Sequence, residues 1–146
     1  MNMVFGEKIA GFEDQIRKGV YAIIFNLTKD KVLTVQNSKG HYFLPGGGIE
    51  NDETPQECLI RELLEETGYT IFIGAFIGNA MRYFQSTQNE PILNDGYFYL
   101  VELSDKSQEP IEDDHYVKWI DINSIEERLV HEHHCWAVHE ALNKQN

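Results

Sequence analysis

GGIENDETPQECLIRELLEETGY, residues 47–69, decides how the rest of the chain is read. Thr54 followed by Pro55 and Glu57 gives an N-cap threonine, a proline at the first helical position where no donor is lost, and a glutamate at N3. Gly68 stands where a left-handed residue would end the helix, so the spacing predicts a helix over residues 55–67. Leu59 and Leu63, with Ile60 and Leu64 beside them, make its apolar side, while Glu62, Glu65 and Glu66 fall at i, i+3 and i+4 and share another. Like charges at that spacing destabilise a helix by a few tenths of a kcal/mol per pair, which a bound divalent cation would reverse.

Oxygen-only ligands point to a hard ion, Mg²⁺ or Mn²⁺, rather than zinc, which prefers His and Cys. Mg²⁺ is usually held by one or two carboxylates plus substrate phosphates, so the expected substrate carries a phosphate chain. Gly46, Gly47 and Gly48 fit that expectation, because a backbone without side chains approaches an anion and a metal closely.

Gly47, Glu53, Arg61, Glu62, Glu65, Glu66 and Gly68 are seven fixed residue types. At an average usage of roughly 5–7% each, they coincide by chance on the order of once in a billion starting positions. At these residues the sequence resembles the Nudix hydrolase family, whose box is this pattern, and it matches at every fixed position. Phe43-Leu44-Pro45 leads in and Trp119-Ile120-Asp121 follows much later, extending the likeness beyond the box.

The resemblance implies an α/β fold, an α/β/α sandwich around a mixed β-sheet, and cleavage of a nucleoside diphosphate linked to another group by water attacking phosphorus. It also implies that Glu62, Glu65 and Glu66 hold metal, with Gly46 or Gly47 offering a backbone carbonyl, and that Glu53 and Arg61 pair to orient the loop on the helix. The base that takes the proton from water is a box glutamate or an acid of a later loop, here Glu112, Asp113 or Asp114.

A chain of 146 residues, 42% hydrophobic and 12% aromatic, reads as one globular domain over residues 1–146. Residues 1–12 carry no apolar run after basic residues and no stretch approaches a membrane span, so no membrane association and a cytoplasmic location are expected. Cys58 and Cys135 make no disulfide framework and read as packing residues in a reducing compartment. A formal charge of −12 disfavours nucleic acid as a partner, since that affinity comes from clustered Lys and Arg. The positive charge an anionic substrate needs must then come from metal and from a few bases, Arg17, Lys18, Arg61 and Arg82, of which Arg82 is the candidate outside the box for substrate binding. Monomer and homodimer are both compatible with the sequence.

Strands are expected over residues 19–25 and 31–36, joined by a hairpin turn at 26–30, and over 41–44. A long or bent strand over 70–85 has Gly74 and Gly78 as candidate bulges. Residues 86–95 read as a loop, 96–103 as a strand, 104–114 as an acidic loop and 115–120 as the last strand. Asn123 or Ser124 is a candidate cap for one C-terminal helix to about residue 142. Strands with one helix between them and one at the end imply a mixed sheet covered on both faces.

Two other groups of residues carry chemistry. His131, Cys135 and His139 follow at i+4 steps, a spacing able to hold a transition metal, but burial of Cys135, Trp136 and Val138 on an amphipathic helix explains the pattern better. Tyr83, Phe84, Tyr97, Phe98 and Tyr99 offer surfaces for stacking a base, and alternation along strands sends about half of them to the core. With few basic residues for a long polyphosphate, a nucleoside triphosphate or nucleotide sugar is expected in preference to a dinucleoside polyphosphate or a diphosphoinositol phosphate. A nucleotide-binding module without turnover is the rival reading, which an intact set of carboxylates disfavours.

Overall fold

The computed structural model describes residues 3–11, 13–111 and 115–144. The helix read from the box is present as α1, Pro55–Thr67. Thr54 Oγ1 accepts from the Glu57 N–H at 3.1 Å and Glu57 Oε1 accepts from the Thr54 N–H at 2.9 Å. At the other end Gly68 turns left-handed (φ 79°) and donates to the Leu64 carbonyl at 2.9 Å. Cys58, Leu59 and Leu63 form the buried stripe of α1. Their period is helical, whereas the strands beneath alternate with period two.

A mixed five-stranded sheet runs in the order β1-β6-β7-β2-β5, with β1 Met3–Phe5, β2 Gln15–Ile23, β5 Gly46–Gly48, β6 Tyr69–Gln85 and β7 Pro91–Lys106. A second, antiparallel sheet has the order β4-β3-β8, with β3 Lys31–Asn37, β4 Tyr42–Phe43 and β8 His115–Asp121. Alternation on β2 divides the core. Val20 and Ala22 pack with Cys58, Leu59 and Leu63 of α1, while Ile23 packs with Phe98 and with Ala137, Val138 and Ala141 of a C-terminal helix. Helices therefore cover both faces, the α/β/α sandwich expected. Phe98 is completely buried between them, a burial that stabilises by about 1.5–3 kcal/mol.

Several sequence expectations change in detail. The hairpin turn forms, with Asn26 Oδ1 accepting from the Asp30 and Lys31 N–H groups, but β2 and β3 pair only next to it, at Leu33 N–H to the Ile24 carbonyl and at the Phe25–Val32 bridge. Beyond the turn, β7 and β5 take both edges of β2, so β3 is sent to the second sheet. The stretch expected as a loop over 86–95 shrinks to the Ser86–Glu90 turn, closed by the Ser86 N–H on the Glu90 carbonyl, because β7 starts at Pro91. β7 also continues to Lys106 into the stretch expected as an acidic loop. Gly74 and Gly78 lie at the register shifts of β6 against β7 between Ile73 and Phe76 and between Phe76 and Gly78.

The single C-terminal helix is corrected to three pieces: a 3₁₀ turn Ile122–Ser124, the short helix α2 Ile125–Arg128, and α3 Glu132–Lys144. Ser124 Oγ bonds the Asp121 carbonyl and caps nothing. Leu129 leaves the helix into extended backbone because β4 captures the chain there, through a parallel bridge from Tyr42 to Leu129 and the Val130 N–H on the Tyr42 carbonyl at 3.0 Å. Among the described residues no helix is long and apolar enough to cross a membrane.

Candidate active site

The glycine loop is held against α1 by one arginine. Arg61 Nε and Nη2 meet Glu53 Oε2 and Oε1 at 2.6 and 2.9 Å, a two-pronged pair, and Nη2 also donates to the Gly48 carbonyl at 3.1 Å. Glu53 further accepts the Glu50 N–H at 2.9 Å. The Arg61 guanidinium, with that N–H in support, holds the Glu53 carboxyl down at about 2, and Glu53 in turn raises Arg61 above its already high value. The pairing expected between Glu53 and Arg61 is thus present as a planar fork.

Arg61 reaches further. Its Nη1 donates to Glu62 Oε1 at 3.1 Å and to Glu65 Oε2 at 3.4 Å. Part of the like-charge conflict on α1 is therefore met within the chain, but one guanidinium faces Glu53, Glu62 and Glu65 together. Glu66 turns the other way into the protein, 6% exposed, where Oε1 accepts the Gly46 N–H at 2.8 Å and Oε2 lies 4.0 Å from His115 Nδ1 on β8.

Two of the three glycines leave no room for a side chain. Gly46 takes φ 140° with its Cβ direction pointing 2.1 Å from the Val20 carbonyl oxygen, so no side chain fits there. A Cβ on Gly47 would stand 2.5 Å from Glu62 Oε2, so the absent side chain is what lets that carboxylate lie on the loop. The Gly47 and Gly48 carbonyls accept the Cys58 thiol at 3.5 and 3.4 Å, and burial pushes that thiol up to about 12, consistent with a packing role. Gly46 contributes its N–H to Glu66, and Gly47 and Gly48 turn their carbonyls toward α1.

Among the described residues no three His, Cys, Asp or Glu side chains already converge on one point as a metal centre, since Glu62 and Glu65 turn to Arg61. The donors still fit Mg²⁺ or Mn²⁺: carboxylate oxygens in excess over the one local guanidinium, on a rigid helix, beside a loop stripped of side chains. Glu112, Asp113 and Asp114, the candidate bases outside the box, lie outside the described residues.

A cavity of about 760 Å³, lined by no residue of the box, reaches this site through His115. His115, Phe43, Arg82, Phe84 and His131 are in its walls, and His115 is the link to Glu66. Of the aromatic set, Tyr83 and Phe84 line it, Phe98 is core, and Tyr97 and Tyr99 pack on the α1 side. Arg82, on β6, is bound to the Val130 carbonyl at 3.0 Å and to His131 Nδ1 at 2.7 Å. Arg17 and Lys18 are exposed on β2 outside the cavity lining.

The spacing of His131, Cys135 and His139 does not make a metal centre. Cys135 donates to the Ile125 carbonyl at 3.3 Å, and His139 pairs with Glu126. His131 instead joins His133 and His134, with ring centroids 4.9 to 5.4 Å apart. The helical spacing misleads because His131 lies before α3 begins. The run His-Glu-His-His was the available signal; the partners, Asn94 on β7, Arg82 on β6 and Leu44 between β4 and β5, were not readable from it.

The NUDIX domain family description matches residues 15–138. A putative 8-oxo-dGTP diphosphatase of Bacillus subtilis is 34% identical over 61 residues, covering 42% of this chain and 41% of that protein. A diphosphoinositol polyphosphate phosphohydrolase 3-beta of Bos taurus is 32% identical over 79 residues, 53% of this chain and 44% of that one. The chain thus spans less than half the length of these two curated relatives. Among solved structures, a NUDIX hydrolase from Nitrosomonas europaea superposes with a TM-score of 0.74 over 90% of this chain and 92% of that one, at 17% identity, which speaks to the fold alone. A family description that runs from the start of β2 into α3, set on a box whose fixed residues meet as described, places this chain in the NUDIX domain family.

Proposed function

We propose that the chain is a pyrophosphohydrolase that uses Mg²⁺ or Mn²⁺ to cleave a nucleoside diphosphate linked to another moiety, with a nucleoside triphosphate or a nucleotide sugar as the favoured substrate. The observation that carries this reading is the α1 carboxylates held against the side-chain-free loop, Glu66 on the Gly46 N–H and Glu62 where a Gly47 side chain would stand, with Glu66 4.0 Å from His115 in the wall of the neighbouring cavity. Glu62, Glu65 and Glu66 are the proposed metal-holding residues, with a loop carbonyl of Gly46 or Gly47 beside them. Glu53 and Arg61 fix the loop on the helix, and Gly46, Gly47, Gly48 and Arg82 face the substrate. When bound, the ion supplies charge neutralisation on the phosphate oxygens and acidifies water. A carboxylate then takes the proton from the attacking water: a box glutamate, or Glu112, Asp113 or Asp114.

The similarity to an enzyme named for 8-oxo-dGTP supports a nucleotide substrate, and the similarity to one named for diphosphoinositol polyphosphates offers a different one. A formal charge of −12 disfavours the second, since so anionic a ligand meets few bases here. Two free cysteines, with burial pushing both thiols up, to about 12 for Cys58 and about 11 for Cys135, are compatible with the cytoplasm. The test is turnover with Mg²⁺ across nucleoside triphosphates, nucleotide sugars, dinucleoside polyphosphates and a diphosphoinositol phosphate, measured as released phosphorylated product. Highest kcat/KM on one of the first two classes supports the proposal. Highest kcat/KM on either of the others overturns the substrate choice, and binding without turnover of any makes the chain a nucleotide-binding module.

A further inference from the structure

Arg82 and His131 stand side by side in the cavity wall. Arg82 has no acceptor atom, and Nη1 is spent on the Val130 carbonyl and on His131 Nδ1. Its Nε is enclosed and lies 3.8 Å from Glu132 Oε1. Nη2 is left without a hydrogen bond to any described residue, and it is not among the enclosed unpaired atoms, so its hydrogens are offered to the cavity that Arg82 lines. The same bond fixes its neighbour. Because His131 Nδ1 accepts from an arginine, a neutral His131 carries its proton on Nε2 and is a second donor in the same wall. Burial, with Arg82 adding to it, pushes His131 down to about 4 and keeps it neutral.

Beside these donors stand flat surfaces. The Arg82 guanidinium is 5.8 Å from the centre of the Phe84 ring, and Phe84 and Phe43 flank His131 with centroids 5.0 and 5.6 Å from it. A planar ligand on Phe84 or Phe43 therefore brings its edge to two donors and to no acceptor among them. A 6-oxopurine presents O6 and N7, two adjacent acceptors, whereas a 6-aminopurine puts a donor where O6 stands. A donor set against Arg82 would leave both groups unpaired in a partly buried site, which costs more than a missing contact.

We propose that Arg82 and His131 are specificity-determining residues that read the edge of the base, selecting 6-oxopurine nucleotides, guanine or hypoxanthine, over adenine nucleotides. The phosphate chain of such a nucleotide runs past His115 toward Glu66. This inference rests on the proposed hydrolysis for its direction but not for its test.

Inosine and adenosine nucleotides share one ring system and differ at the 6-position, so they isolate the contact. The experiment measures kcat/KM for ITP and ATP, and equilibrium binding of IMP and AMP, in the wild type, Arg82→Met and Arg82→Lys, with a melting curve for each variant. The wild type should prefer the inosine form by about tenfold or more, as expected for a base-edge contact. Arg82→Met should collapse the ratio toward unity, and Arg82→Lys, with a point charge in place of the fork, should retain part of it. A merely structural role for Arg82 would lower both nucleotides together and preserve the ratio, which overturns the proposal. So does a wild type that treats the two alike or favours adenosine, whether or not the variants fold. If neither triphosphate is hydrolysed but IMP is bound over AMP in an Arg82-dependent way, the base reading stands and the hydrolysis reading fails.

Discussion

Replacing Arg61 by alanine leaves Glu53 with the Glu50 N–H alone and returns the full repulsion between Glu62 and Glu65. Arg61→Ala should lower the melting temperature and cut kcat/KM by about 10–100-fold, the usual cost of losing a group that orients ligating residues. Arg61→Lys should recover only part of either, because lysine has no planar fork for Glu53. An alanine variant that melts and turns over like the wild type would remove the ion pair from the site. Gly47→Ala separates position from fold. The atom its Cβ meets is the far end of the Glu62 side chain, which can swing away, so the melting temperature should hold. Mn²⁺ affinity measured by titration should fall, and unchanged affinity would mean that Glu62 does not ligate from the loop side.

At the scale of elements, neutral imidazoles tie the start of α3 to strands β6 and β7 and to the segment between β4 and β5. His134 Nδ1 accepts the Leu44 N–H at 3.2 Å, Asn94, whose amide nitrogen faces the Tyr21 hydroxyl, turns its oxygen to His133 Nε2 at 2.7 Å, and His131 accepts from Arg82. Burial, then the neighbouring imidazoles and Arg82, hold His133 down at about 3 and His134 well below the ordinary 6.5. The unfolded chain takes up these protons near pH 6.5 and the folded chain does not, so stability is full above that value and falls as the pH drops below it. The slope is about 1.4 kcal/mol per pH unit for each imidazole. Melting temperature followed from about pH 7.5 to 5, above the range of ordinary carboxylates, should be flat at first and then fall steeply; a flat curve to pH 5 would contradict the buried neutral trio. The same elements mark what the sequence made legible. α1 was readable because its signals, Thr54, Pro55, Glu57 and Gly68, act within one turn of the residues they govern. The division of β2 and β3 between two sheets, the break between α2 and α3 at Leu129, and the histidine trio were not, because each is set by residues distant in sequence.

Across the whole molecule, net charge and site chemistry pull in opposite directions. A formal charge of −12 gives an anionic substrate no long-range attraction, so the proposed function leaves recognition to a divalent ion held on α1 and to the cavity bases. The two halves of the site were unequally legible. Glu53, Arg61, Glu62, Glu65 and Glu66 stand in one continuous stretch, whereas Phe43, Arg82, His115 and His131 come from β4, β6, β8 and the turn before α3 and meet only when both sheets and α3 assemble. The central claim is that a divalent ion held by the carboxylates of α1 enables pyrophosphate hydrolysis. The most direct measurement is product release from a nucleoside triphosphate with Mg²⁺, after EDTA, and after readdition of Mg²⁺ or Mn²⁺, in the wild type, Glu65→Gln and Glu66→Gln. A neutral amide ligates Mg²⁺ poorly, so both folded variants should lose activity by about 100-fold or more. EDTA should abolish turnover in the wild type, and either ion should restore it. Turnover that survives EDTA, or both variants within about threefold of the wild type, would contradict the account.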